Sequence, residues 1–177
     1  MTDTTQPAPA AGQVSLGYSA REDRLVLWLG TGEEAKMLFV TRRLCALLID
    51  GLVGVLARSS PTAAHAPAEL RNDVVLMEHQ GAMAASSVGP ADADTLPPIS
   101  GDAPPPMLVE TVNITTTPSD FRLVFRPSPQ GDGPAITLSR SDLHMVLEML
   151  KRQSELAQWS LPVDSGWLAA SGQVTVN

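Results

Sequence analysis

The chain has 177 residues, which suffices for one domain or for two small domains that share a core. Its net charge of −7 disfavours long-range attraction to nucleic acid or anionic lipid, and its single cysteine excludes an internal disulfide. Residues 1–12 do not resemble a signal peptide, and the longest apolar run, 44–57, is too short and too charged for a membrane span. We therefore expect a cytoplasmic protein that does not enter a membrane. The prevalence of arginine over lysine, with abundant alanine, suggests a bacterial source.

An internal repeat runs through the sequence. At an offset of 98 residues, positions 14–52 align without a gap with positions 112–150. Six columns are identical, namely Val14/Val112, Arg24/Arg122, Leu25/Leu123, Val26/Val124, Arg42/Arg140 and Leu52/Leu150. Aligned apolar columns mark positions of the core, whereas columns that differ mark surfaces on which the two copies diverge.

The first copy predicts three strands followed by a helix. Alternating apolar and polar residues, separated by polar turns, indicate strands at 14–18, 24–29 and 37–40. The period then lengthens to about 3.6 residues, which indicates a helix over 42–58 with Thr41 as its N-cap. The second copy predicts the same order, with strands at 112–116, 122–126 and 135–138 and a helix over 140–159 that begins after Ser139.

The region between the copies predicts one more helix and a linker. The helix is expected over about 67–85, with Leu70, Val74 and Met77 on one face. The proline-rich stretch 86–107 is typical of disorder. In the tail, apolar residues are expected to dock on a groove, namely Leu161, Val163, Trp167 and Leu168.

These elements predict an α+β fold in which two tandem β-β-β-α repeats form one antiparallel sheet. The helices pack on one face of that sheet, and the inter-repeat helix is an addition. The expected divisions are a disordered N-terminus 1–12, repeat one 13–58, the helix and linker 59–107, repeat two 108–159 and the tail 160–177.

Strand alternation assigns two faces to the sheet. One face is apolar in both copies and is expected to carry the helices. The opposite face is a candidate interaction surface formed by Arg24, Val26, Trp28, Met37, Phe39, Arg122 and Arg126. Because an exposed patch of this kind is costly, we expect the inter-repeat helix, the Trp167 tail, a second copy or another partner to cover it.

The sequence holds no catalytic, cofactor-binding or metal-binding motif. Cys45 lies in an apolar run and is expected to be a core residue. The three histidines, His65, His79 and His144, are scattered, and His144 is expected to be solvated or to hydrogen-bond near a helix start.

Two polar patterns are interpreted as structural. Asp50 and Glu148 occupy aligned positions, for which we expect equal exposure rather than a paired-carboxylate site. The Thr41-Arg42-Arg43 step resembles an anion site at a helix N-terminus, but helix capping is the preferred interpretation, here and at Ser139-Arg140.

These observations favour a non-catalytic protein-interaction or assembly module that forms a homodimer or binds another protein. The alternative is a single-stranded nucleic-acid binder in which Trp28 and the arginines form a stacking platform. The duplicated strands and helix resemble the repeat layout of Pur-type and Whirly-type single-strand binders, whose repeats use four strands instead of the three predicted here. The acidic pI of about 4.8 disfavours this alternative. An enzyme with an unrecognised site is the third hypothesis.

Overall fold

The computed structural model describes residues 14–30, 35–85, 105–162 and 166–168. Within these ranges the chain is an α+β protein with a four-stranded mixed sheet, a three-stranded sheet and four helices. The predicted α+β class is therefore confirmed. The predictions for residues 1–12, for most of the linker and for Val163 lie outside the described residues.

The first sheet has the order β1-β2-β3-β4. Its strands are β1 (Val14–Ser19), β2 (Arg24–Leu29), β3 (Lys36–Val40) and β4 (Met107–Leu108). The first three strands are antiparallel, and Asp23, at a φ of 48°, lies in the tight turn between β1 and β2. Strand β4 pairs with β3 in parallel and falls at the end of the stretch that the sequence predicts to be a disordered linker. The prediction of disorder is therefore wrong for Met107, which lies in β4.

The second sheet has the order β5-β6-β7 and is antiparallel. Its strands are β5 (Thr111–Thr116), β6 (Asp120–Arg126) and β7 (Ala135–Ser139). The chain passes directly from the first sheet to the second at Val109 and Glu110. The amide of Val109 donates to Phe39 O of β3, and the amide of Glu110 donates to Arg126 O of β6. The prediction of one continuous antiparallel sheet is therefore wrong. Side-chain alternation fixes which face of a strand is buried but does not fix which strand edges pair.

Four helices accompany the two sheets. They are α1 (Arg42–Arg58), α2 (Pro61–His65), α3 (Arg71–Ala85) and α4 (Arg140–Leu156), and a 3₁₀ turn at Ala68–Leu70 precedes α3. Thr41 caps α1 by accepting from the Leu44 amide, and Ser139 forms a capping box with Asp142 at the start of α4. The capping interpretation is therefore confirmed at both helices. Among the described helices, none has the length and apolarity that a membrane span requires.

Helix α4 ends three residues earlier than its apolar pattern predicts. Gln158 adopts a φ of 55°, in the left-handed region, and the Trp159 amide then bonds back to Ser154 O. Trp159 is 6% exposed and its indole NH donates to Asp23 Oδ1 at 3.0 Å. Trp159, which extends the apolar pattern of α4, is therefore buried after the helix has ended.

One core joins both sheets and the helices. The predicted inward positions are buried in both halves. Five of them are 0% exposed, namely Leu25, Val40, Leu52, Leu123 and Leu147. Helix α1 packs against α4, and each of these helices also contacts the first strand of the other half, α1 with β5 and α4 with β1. The two halves therefore share their apolar interior and do not form separate domains.

The buried face of α3 differs from the predicted one. Val75 and His79 are 1% and 4% exposed, whereas Leu70 and Met77 are 48% and 69% exposed. The predicted stripe of Leu70, Val74 and Met77 was chosen because it is apolar. The stripe that is actually buried contains His79. A search for apolar positions treats a histidine as a solvent-facing residue and therefore misses this stripe.

Candidate functional site

The predicted interaction face of the first sheet is assembled but is mostly closed. Trp28 lies opposite Met37 and Val26 lies opposite Phe39 across β2 and β3. Val26 and Trp28 are 4% and 8% exposed, and both lie outside the main apolar core cluster. The Arg24 guanidinium lies 5.6 Å from the centre of the Phe39 ring, a cation–π distance. The indole that was to contact a partner or a base is thus buried within the chain.

The remaining two residues of that predicted face lie on the second sheet. Arg122 is exposed on β6, opposite Thr137. Arg126 is half-buried and donates to Gly131 O at 2.8 Å, within its own hairpin. The seven residues are therefore divided between two sheets, and Arg126 is engaged by its own chain.

The described parts of the two covers expected for Trp28, namely α3 and the turn at Trp167, pack among the helices. Helix α3 packs on α1, α2 and α4. The Trp167 indole donates to Val53 O of α1 at 3.2 Å, and its ring faces His79 and His144. The described parts of both elements therefore add to the helical layer.

An exposed apolar surface is present instead on α1, where the two sheets meet. Leu47 is 58% exposed and separates two depressions, of about 660 and 600 Å³. The larger depression extends to Leu108, which is 45% exposed, and the smaller one extends to Leu161 and Pro162. Arg43 borders both. We call this region the Leu47 surface; it comprises Arg42, Arg43, Ala46, Leu47, Asp50, Leu108, Glu110, Leu161 and Pro162.

Charges of both signs surround the Leu47 surface. Arg42 and Arg43 are exposed at the start of α1, and Arg42 makes one hydrogen bond, of 3.3 Å, to Ser160 O. Asp50 lies two turns further along the same helix and is exposed, as is Glu110 on the opposite wall. The sequence-based choice of interaction residues missed this surface, because Leu47 was counted within the apolar run of a core helix.

A pair of histidines is buried where α3 meets α4. The His79 and His144 rings have their Nδ1 atoms 3.3 Å apart, and the two residues are 4% and 1% exposed. His79 Nε2 lies 3.4 Å from a carboxylate oxygen of Glu148. The structure thus brings together two of the three histidines that are scattered in the sequence. The expectation of a solvated His144 is wrong, and its hydrogen bond near the start of α4 is with His79. The signal that was available is the i, i+4 spacing of Val75 and His79 on one helix face.

Hydrogen bonding places one proton between the two rings. Either Nδ1 can be the donor in the 3.3 Å contact, because the roles depend on the tautomers. His144 Nε2 has no hydrogen-bond partner among the described residues. Burial, aided by the nearby His79 and Arg140, lowers the pKa of His144 from 6.5 to about 4. His144 is therefore neutral at pH 7.

An ion pair lies next to the histidines. The Arg140 guanidinium donates to Glu78 Oε2 at 2.7 and 3.1 Å, to Ser59 Oγ at 2.9 Å and to Leu56 O at 2.7 Å. The other Glu78 oxygen accepts from Ser60. This network ties α1, α3 and the start of α4 together with charge-assisted hydrogen bonds.

The two aligned carboxylates differ, against expectation. Asp50 is exposed at the Leu47 surface, whereas the side chain of Glu148 is 36% exposed and faces His79. The hydrogen bond from His79 lowers the pKa of Glu148. Equal positions in the two helices therefore do not give equal environments, because α3 packs on α4 at this point and leaves Asp50 uncovered.

Burial determines the state of the single cysteine. Cys45 is 0% exposed, as predicted, and burial raises the pKa of its thiol to about 12, which leaves it protonated and unreactive. Within 14–30, 35–85, 105–162 and 166–168, no group of three or more His, Cys, Asp or Glu side chains is placed to hold a metal ion.

No protein-family model, curated protein or solved structure matches this chain. Its function therefore has to be inferred from the surfaces and buried groups described above. Two of these stand out physically, namely the exposed Leu47 surface and the buried histidine pair.

Proposed function

We propose that this chain is a non-catalytic assembly module that forms a homodimer through the Leu47 surface. The observation that carries the proposal is the 58% exposure of Leu47 in the middle of a 17-residue helix, beside the 45% exposed Leu108. Exposed leucines on the walls of adjoining depressions leave apolar area in water that association would bury. This surface replaces the Trp28 face as the preferred contact region.

The charges around Leu47 favour a second copy of the same chain as the partner. A two-fold dimer brings the same patch of both subunits together, so the patch must complement itself. The Leu47 surface carries charges of both signs, because Arg43 borders both depressions, Glu110 lines the larger one and Asp50 lines the smaller one. A two-fold contact can therefore pair a basic residue of one copy with an acidic residue of the other.

Comparison of the two long helices supports the same surface. The aligned residues Arg42 and Arg140 are each the first residue of a helix. Helix α3 covers the stripe of α4 that begins at Arg140, whereas the corresponding stripe of α1 borders an open depression. The uncovered stripe is the place where the chain has an apolar and charged helix face available for a partner.

The proposal includes the tandem duplication predicted from the sequence. Each half runs through three antiparallel strands into a 17-residue helix that a Ser or Thr side chain caps, which is the order expected of a duplicated unit. We also assign the dimer to the bacterial cytoplasm, an assignment that rests on the residue composition and the single, buried cysteine.

Substitution of Leu47 tests the dimer. Size-exclusion chromatography with light scattering should give twice the chain mass for the wild type and the chain mass for Leu47→Glu. Leu156→Glu is the matched control, because Leu156 is 61% exposed on α4 and lies outside the Leu47 surface. The control should remain dimeric. A wild type that stays monomeric over the accessible concentration range would overturn the proposal, as would a dimer that Leu47→Glu leaves intact.

Charge reversal tests the two-fold geometry separately. Arg43→Glu should weaken the dimer, since it places like charges together, and Arg43→Glu combined with Glu110→Arg should restore it. Because both residues are exposed, neither change should alter the fold, which circular dichroism can check. Loss of the dimer in the single variant without recovery in the double variant would contradict the two-fold arrangement and leave the Leu47 contact standing.

The nucleic-acid alternative lacks a structural observation in its favour. A stacking platform needs open aromatic rings, and Trp28 is 8% exposed. Phe39 already carries the Arg24 guanidinium on its ring. Retention of the wild type on a single-stranded oligonucleotide column at low salt would reopen this alternative.

A further inference from the structure

The buried His79–His144 pair joins three separate parts of the chain. His79 belongs to α3, His144 belongs to α4, and Trp167 comes from the turn at 166–168. The ring centres lie 5.3 Å apart for the two histidines, 5.5 Å for His79 and Trp167, and 5.9 Å for His144 and Trp167. Each ring therefore contacts the other two, and none is held by one neighbour alone.

The geometry of the pair has room for one proton between the two Nδ1 atoms, which lie 3.3 Å apart. A His144 ring with a single proton satisfies this contact, either as the Nδ1–H donor or as the acceptor. A second proton on His144 would lie either at Nδ1, facing the N–H of His79, or at Nε2, a buried atom that has no partner among the described residues. It would also place a positive charge against the Trp167 and His79 rings, away from water.

We propose that His144 is a pH switch, whose protonation releases α3 and the Trp167 turn from α4 while both sheets remain folded. This device is independent of the dimer and concerns the contacts that α3 and the Trp167 turn make with α1 and α4. Its released state exposes the apolar and aromatic residues Val75 and Trp167, which are 1% and 2% exposed in the closed state.

The surrounding charges favour release when His144 gains a proton. From α3 come Glu78 and His79; from α4 come Arg140 and Glu148, with Lys151 and Arg152 near Glu148; and α1 contributes the carbonyl oxygens of Val53 and Leu56. Arg140 and His79 disfavour a charged His144, and Glu78 favours it. Glu78 already forms an ion pair with Arg140 at 2.7 Å, so its negative charge is largely neutralised and stabilises a charged His144 only weakly.

Amide hydrogen exchange on the full chain tests the switch by location. If His144 regains an ordinary pKa of 6.5 on release, against about 4 when closed, acidification from pH 7.5 to pH 5 favours the released state about 30-fold. Exchange rates divided by the intrinsic rates should rise by this factor in α3 and at 166–168. Amides of β2 and β6 should not follow. An equal rise in all segments would indicate global unfolding, and no rise would remove the switch; either result overturns the proposal.

Two variants and one direct measurement identify the responsible group. His144→Phe keeps an aromatic ring that cannot titrate, so the pH response of α3 should fall to within about twofold. His65→Gln is the control, because His65 is exposed and its ring hydrogen-bonds to Pro61 O, away from His144. The response should persist in this variant. Persistence of the full response in His144→Phe overturns the proposal.

The wild type alone also decides the question if His144→Phe does not fold. Long-range ¹H–¹⁵N spectra of the histidine rings should show His144 with a single ring proton at pH 7. The Trp167 indole signal should shift at the pH where His144 gains its second proton. A doubly protonated His144 at pH 7, or a Trp167 signal that does not follow the titration of His144, overturns the proposal.

Discussion

Removal of the Arg140 guanidinium should separate its role from that of Arg42, the residue at the aligned position. Both arginines follow an N-cap residue and begin a 17-residue helix. Arg140 makes four hydrogen bonds that connect it with Glu78, Ser59 and Leu56, whereas Arg42 makes one, of 3.3 Å, to Ser160 O. We therefore expect Arg140→Leu and Arg42→Leu to differ in their effect on stability, although the local sequence position is the same.

The size of the difference follows from burial. Loss of one partner of a buried, hydrogen-bonded ion pair costs about 3–5 kcal/mol. The side chains of Arg140 and Glu78 are 23% and 21% exposed, so water can partly solvate the carboxylate that is left behind, and we expect about 2–3 kcal/mol for Arg140→Leu. Arg42 is exposed, and Arg42→Leu should change the free energy of unfolding by less than about 0.5 kcal/mol.

Urea unfolding followed by circular dichroism measures both variants. All proteins are compared at one concentration, since self-association contributes to apparent stability. The loss of stability in the double variant Arg140→Leu/Glu78→Leu should be smaller than the sum of the two single losses by about 1–3 kcal/mol, because the double variant no longer has an unpaired carboxylate. Equal, small effects of Arg140→Leu and Arg42→Leu would refute the reasoning that the network, and not the helix position, determines the contribution of Arg140.

Three further predictions concern other groups. Because the folded pKa of His144 lies below its ordinary value of 6.5, its contribution to stability is complete above pH 6.5 and is lost as the pH falls toward 4; urea unfolding should show a loss of about 2 kcal/mol between pH 7 and pH 5 that His65→Gln does not alter. Trp28→Arg should destabilise the chain by about 3–5 kcal/mol, since it removes an indole that is 8% exposed; a change below about 1 kcal/mol would contradict the burial seen here. The Trp159 and Tyr18 hydrogen bonds lower the pKa of Asp23 below 3.8, and Trp159→Phe should raise it in an NMR titration of the Asp23 carboxyl; no rise would show that the indole bond is not formed in solution.

Local features of this fold could be predicted from the sequence because they depend on neighbouring residues. The bounds of β2 and α1 agree with the predicted ranges 24–29 and 42–58. Side-chain alternation and helical period act within a few residues, and a cap such as Thr41 bonds to an amide three positions away. Stripes of clear apolar periodicity were therefore assigned to the correct face in both sheets and in α1.

Contacts between distant segments were not predictable in the same way. The parallel pairing of β4 with β3 depends on where the chain returns after 86–104, and two residues are too short to give a strand pattern. The His79–His144 contact joins positions 65 apart, and each histidine alone is scored as polar. The exposure of Leu47 depends on what packs against α1, and an apolar pattern does not contain that information.

The contrast between α1 and α4 connects the two candidate sites. At the aligned positions 46 and 144 the chain has Ala46, which lines the smaller depression of the Leu47 surface, and His144, which is 1% exposed beneath α3. The same helix face is thus closed in one half by a helix that follows α1 in sequence, and left open in the other. Helix α3 covers this stripe of α4, whereas the aligned stripe of α1 borders an open depression. The covered stripe holds the buried histidine that is proposed to respond to protons, and the uncovered stripe lies beside the exposed leucine and the charges on which association is proposed to depend.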